Sequence, residues 1–127
     1  EHPQYLQPFK AMLLQIAATS TQKEIRWHLA QMLPRLNLTD RERRNVITIL
    51  ERYLLDESSI VRTFSLQSLA DLSEHDRTLR LRVKRRIGEA LRAGTPAMKS
   101  RARKILVCLN RLDQRGEMKQ RETPGQG

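Results

Sequence analysis

Apolar residues recur along this chain at helical spacing, and the pattern appears three times. Ile25-Arg26, Leu29, Met32-Leu33 and Leu36 are matched by Val61-Arg62, Ser65, Ser68-Leu69 and Leu72 at an offset of 36 residues. They are matched again by Met98-Lys99, Ala102, Ile105-Leu106 and Leu109 a further 37 on. Positions i, i+4, i+7, i+8 and i+11 fall on one face of an α-helix. A second set lies upstream of each stretch at offsets of 37: Phe9/Val46/Val83, Leu13/Leu50/Ile87 and Ala17/Leu54/Leu91. Each unit therefore reads as two amphipathic helices, A then B. The units span about 3–36, 39–72 and 76–112 within a repeat domain of residues 1–115. A unit of this size cannot bury its own apolar face, so the units must stack; an all-α solenoid of six helices is expected.

Local signals place the ends. Helix A1 is expected from Pro3 to Ile16, burying Tyr5, Leu6, Phe9, Met12, Leu13 and Ile16, with Ala17–Thr21 as a loop. Thr21-x-x-Glu24 and Thr39-x-x-Glu42 have the form of capping boxes, in which the Thr hydroxyl and the Glu carboxylate satisfy each other's backbone N–H. Pro34 should thin the last turn of B1, because it lacks a donor and crowds the carbonyl four residues back. A2 is expected to run to Leu55, burying Val46, Ile47, Leu50 and Leu54, before the linker Asp56-Glu57-Ser58-Ser59. A3 follows the cap cluster Ser73-Glu74-His75-Asp76, buries Leu79, Val83, Ile87 and Leu91, and stops at Gly94, a residue suited to a left-handed C-cap. Thr95-Pro96 provides a cap and a first-turn proline for B3. B3 should end between Leu109 and Leu112, leaving residues 116–127 as a flexible polar tail.

The segment Asp56-x4-Val61-Arg62-x6-Leu69-x2-Leu72 resembles a HEAT repeat, whose second helix is preceded by Asp and opens with a Val-Arg or Val-Lys pair. The resemblance covers three units and implies a right-handed α-solenoid of three helical hairpins, with A helices on the convex side and B helices on the concave side. It also implies a ladder of Asp–Arg contacts between neighbouring units. That ladder is incomplete, because Ser20 and Ala93 stand where the second unit has Asp56. The A helices also lack the proline that many members carry.

Composition narrows the chemistry. Aromatic residues make up only 4%, so the core must be aliphatic. The single cysteine, Cys108, excludes an internal disulfide and a Cys-based zinc site, and fits a reducing, cytoplasmic (intracellular) setting. No apolar run has the length of a membrane span. The chain does not begin with Met and reads as an excised domain. The net charge of +10 is unevenly spread. Residues 1–76 carry nine Lys and Arg against ten Asp and Glu, whereas residues 77–127 carry fifteen against four. Such asymmetry favours an acidic partner.

Catalytic signals are sparse. His2, His28 and His75 sit in separate elements with no metal-binding spacing, and no phosphate loop or nucleophile motif appears. No catalytic, metal or cofactor residue is expected, and no small-molecule substrate. The outward positions of the B helices instead offer Trp27, His28, Phe64, Gln67, Arg101 and Lys104 as a binding surface, with His28, Phe64 and Arg101 in line. Arg82 and Arg85 on A3 add basic character. Trp27 and Phe64 have a second reading as filling between helices. The expected function is a non-enzymatic protein-interaction scaffold whose partner carries an acidic segment. A nucleic-acid module acting through the basic third unit is the alternative, although no aromatic residue lies between 65 and 127 to stack on bases. A HEAT-like DNA glycosylase or lyase is a distant third, resembled only in fold and basicity. A membrane role is not expected, since the apolar face of A3 is needed for the core.

Overall fold

A computed structural model describes residues 7–122 of the chain. The expectations for Pro3, Tyr5, Leu6 and residues 123–127 lie outside them. All regular structure among the described residues is helical. Six α-helices follow in order: α1 (Lys10–Thr19), α2 (Lys23–Met32), α3 (Asp40–Tyr53), α4 (Ser59–Leu72), α5 (Arg77–Ala93) and α6 (Pro96–Glu122). A 3-10 turn, Gln7–Phe9, leads into α1, and another, Leu33–Arg35, ends α2 at Pro34, where the proline removes a backbone donor.

Helix α4 is the hub, packing against α2, α3, α5 and α6, while α1 packs on α2 and α3, and α5 on α6. The shared core is aliphatic and runs through every helix. Leu33, Val46, Leu50, Val61, Leu66 and Leu69 are fully enclosed, and Val83, Ile87, Ala102 and Ile105 extend the core into the last helix pair. Leu54, Leu91 and Leu106 are partly buried against its edge.

Capping chemistry fixes most helix starts. Thr39 and Glu42 form the full capping box at α3. Ser58 accepts from the Val61 N–H, Asp76 from the Leu79 N–H and Thr95 from the Met98 N–H. The box expected at Thr21 and Glu24 does not form. Helix α2 starts at Lys23, and the Ser20 hydroxyl takes the Gln22 N–H instead.

Four further expectations are corrected. Helix α1 continues to Thr19 and buries Leu14 and Ala17, while Phe9 and Met12 are more than half exposed and Ile16 is also exposed. Among the described residues α1 packs mainly on α2 and α3, which a narrower stripe than its sequence offers is enough to cover. Helix α3 ends at Tyr53, leaving Leu55 84% exposed in the following turn.

Gly94 is extended (φ −78°, ψ 167°), not left-handed. A Cβ there would lie 2.6 Å from the Ala90 carbonyl oxygen, so the residue answers a close approach rather than a need for positive φ. Finally, α6 does not stop near Leu112 but continues to Glu122. Lengthening an existing helix avoids the cost of nucleation, and the Glu, Lys, Gln and Arg of this stretch are good helix formers. Gly116 costs about 1 kcal/mol against Ala without ending the helix.

Candidate functional site

Helices α2 and α4 are neighbours, as are α4 and α6, so the outward faces of the three form one surface. At its α2 end the Trp27 ring stacks on His28 (centroids 3.8 Å apart) and on Phe64 of α4 (5.4 Å, planes 22° apart). Trp27 and Phe64 are half-buried and rest on the core, whereas His28 is exposed. The aromatic pair thus fills space between two helices while staying partly exposed. Beyond it, Phe64, Gln67 and Arg101 meet with Gln31, Arg35 and Asp71 around a depression of about 200 Å³.

Gln67, Asp71 and Arg101 also line a larger cleft of about 480 Å³ between α4 and α6. One wall is Arg101, Lys104, Cys108, Arg111 and Arg115, all on α6. The other is Gln67 and Asp71 of α4 with Glu74 in the turn just beyond it. Ala70, Ile105, Leu109 and Leu112 line it between them. Gln67 donates to the Asp71 carboxylate at 3.0 Å. Desolvation pushes the Asp71 carboxyl above its usual range; the Gln67 hydrogen bond and nearby Arg35 oppose this, and Glu74 adds to it. The cleft is therefore sided, with cations along α6 and carboxylates along α4.

Arg82 and Arg85 do not join this surface, because both lie on α5. Arg82 pairs with Glu51 of α3 at 3.4 Å, beside the Arg86–Glu51 pair at 2.9 Å. The Glu51 hydrogen bond is the main reason that the Arg86 pKa is raised. Arg80 and Lys84 both pair with Asp113 of α6. Arg80 is itself buried and donates further to the Ser73 and Glu74 carbonyls, both at 2.9 Å. Much of the basic character of α5 is thus spent on holding helices together. Arg101, Lys104, Arg111 and Arg115 are exposed and make no ion pair among the described residues.

Several polar links across the units were not read from the sequence. Lys10 bridges Glu42 and the Asn37 carbonyl. Arg43 bridges Asp76 and the Leu72 carbonyl. The Tyr53 hydroxyl donates to the Ala17 carbonyl, and Ser68 donates to the Ala30 carbonyl. Arg26 pairs with Asp56 at 2.5 Å, and Arg62 donates to the Asp56 and Glu57 carbonyls just upstream of it.

Arg111 and Arg115 were missed for one reason: the expected end of helix B3 cut the row short. Their signal was present, since 101, 104, 108, 111 and 115 keep the alternation of three and four that marks one helix face. Comparison of the chain with protein-family models, characterised proteins and solved structures gives no match.

Proposed function

We propose that the chain is a HEAT-like module, a short solenoid of three helical hairpins, and that it serves as a non-enzymatic protein-interaction scaffold. Its working surface is the face shared by α2, α4 and α6, and its partner presents an acidic segment to the cleft between α4 and α6. The observation that carries this reading is the row of exposed, unpaired cations beside an apolar floor. Arg over a desolvated floor is a common source of interface energy, and the half-exposed Trp27 and Phe64 are aromatic anchors at the same surface. Support for the repeat assignment comes from the Arg26–Asp56 pair and from the matched positions Leu33 and Leu69, both buried, and Leu106, partly buried against the same core.

Nucleic-acid binding is the second reading, favoured by Arg77, Arg85 and Arg92, which are exposed on α5 without an acidic partner among the described residues. The test is affinity capture with the full chain in the presence and absence of nuclease, beside an Arg101→Glu/Lys104→Glu/Arg111→Glu variant. Retention of a discrete acidic protein after nuclease treatment, and its loss with the variant, is expected. Nuclease-sensitive capture, or capture that survives the charge reversal, overturns the proposal.

A further inference from the structure

Building on this cleft as a site for an acidic protein segment, we infer that the segment it accepts is a helix with charge on one flank only. Such a helix carries carboxylates along the side facing α6, an apolar stripe beneath, and neutral or basic residues along the side facing α4.

Three features lead there. The first is spacing. Arg101, Lys104, Arg111 and Arg115 lie 3, 7 and 4 residues apart on one face of α6, a row of about 21 Å at 1.5 Å per residue. A second helix laid alongside repeats that rise with carboxylates at i, i+3, i+10 and i+14. The second is backbone chemistry. Ala70, Ile105 and Leu109 form a buried apolar floor. An extended segment pressed onto it would need new partners for its N–H and C=O groups, and walls built of α-helices have used theirs internally. A helix brings its backbone bonds with it, the usual mode for an amphipathic segment in an apolar groove.

The third feature is the opposite wall. Asp71 and Glu74 face the cations across the cleft, so a ligand that is negative on every side gains along α6 and is repelled along α4. This discriminates against a uniformly acidic tail and against a nucleic-acid duplex, whose phosphates surround it. Specificity of this kind rests on a repulsive element as much as on an attractive one.

The experiment uses the full chain and three labelled peptides of about 18 residues, enough for five turns. One is a designed helix with Glu in the stated register on one flank, Leu beneath and Lys on the other flank. The second is its scramble, and the third is a polyglutamate. Fluorescence anisotropy gives affinity, and far-ultraviolet circular dichroism gives the helicity gained. The registered helix should bind at least about tenfold more tightly than either control and gain helicity on binding. The Asp71→Lys/Glu74→Lys variant should recover polyglutamate binding.

Equal affinity for the registered and scrambled peptides, both lost in Arg101→Glu/Lys104→Glu, overturns the helical inference while leaving an acidic-segment cleft. Failure of all three peptides, with a DNA duplex of about 20 base pairs binding through the same cations, overturns both. Circular dichroism of each free variant confirms that these exposed substitutions leave the fold in place.

Discussion

Replacing Asp113 by Asn leaves the shape of the side chain almost unchanged but removes the charge that Arg80 and Lys84 share. Arg80 is only 9% exposed, and its Nε–H donates to the Asp113 carboxylate at 2.8 Å. Breaking a fully buried ion pair from one side costs about 3–5 kcal/mol, and breaking an exposed one costs about 1 kcal/mol or less. This triad lies between those limits: the side chains of Asp113 and Lys84 keep about a quarter of their exposure, and Arg80 retains its bonds to the Ser73 and Glu74 carbonyls. The expected loss is therefore about 2 kcal/mol, which for a domain of this size lowers the melting temperature by roughly 5–10 °C. Urea unfolding monitored by circular dichroism measures it directly. A companion Arg80→Met variant and the double variant complete a thermodynamic cycle, in which the coupling should be at least about 1 kcal/mol. A loss below about 0.5 kcal/mol for Asp113→Asn, with additive behaviour in the cycle, refutes the claim that this triad ties α5 to α6.

Two further outcomes are expected. Within α4, Leu69→Ala should cost about 2–5 kcal/mol by opening a cavity in the core, whereas Ser65→Ala should be neutral or stabilising by about 1 kcal/mol, because the buried Ser65 hydroxyl makes no hydrogen bond. Urea midpoints moving in the same direction for both variants would contradict this contrast. Stability should also fall in acid. The Leu79 N–H and Arg43 hold the Asp76 carboxyl below its usual range, Lys84 and Arg80 do so for Asp113, and at Asp56 the Ser58 N–H and Arg26 outweigh the larger opposing effect of desolvation. Carboxyls depressed in the folded state contribute stability that is complete above their unfolded pKa and lost as pH falls through the folded value, so the decline belongs below about pH 4. Asp71, whose pKa is raised, acts in the opposite sense and partly offsets the start of that decline; a melting temperature unchanged from pH 6 to pH 2 would refute the assignment of these pairs.

The core was the most legible part of the chain because burial is written into periodicity. Val46, Leu50, Val83 and Ile87 repeat at one offset and all prove to be buried. Phe9 carries the same repeat signal and is exposed, since a periodic pattern states which face can be buried and not whether a neighbour exists to cover it. Helix ends were less legible for a related reason. Thr39 and Glu42 form their box because α3 begins there, but Thr21 and Glu24 have the same spacing one residue away from where α2 begins, and a capping box has no tolerance for such a shift. The C-terminal end was misjudged because its cue, the loss of apolar residues after Leu112, reports the loss of packing rather than the loss of helix.

That last distinction bears directly on the site. Composition raised the expectation of an acidic partner and located the positive charge in the last two helices, but charge counted along a sequence does not distinguish a cation that holds the protein together from one left exposed. Arg82 and Arg85 looked equivalent to Arg101 and Lys104. For Arg82 the difference lies with an acid distant in sequence: Glu51 of α3 claims Arg82 and Arg86, as Asp113 of α6 claims Arg80 and Lys84, whereas Arg85 has no acidic partner among the described residues and differs only in lying on α5. No comparable acid pairs with the row from Arg101 to Arg115 among the described residues, and the two that come nearest in the cleft, Asp71 and Glu74, stand on its far wall. Subtracting the internal pairs leaves Arg77, Arg85 and Arg92 on α5 and a longer row on α6, where Arg111 and Arg115 join Arg101 and Lys104. It also narrows the partner proposed for that row, because a cleft with opposite charges on its two walls would select for the arrangement of charge as well as its sign.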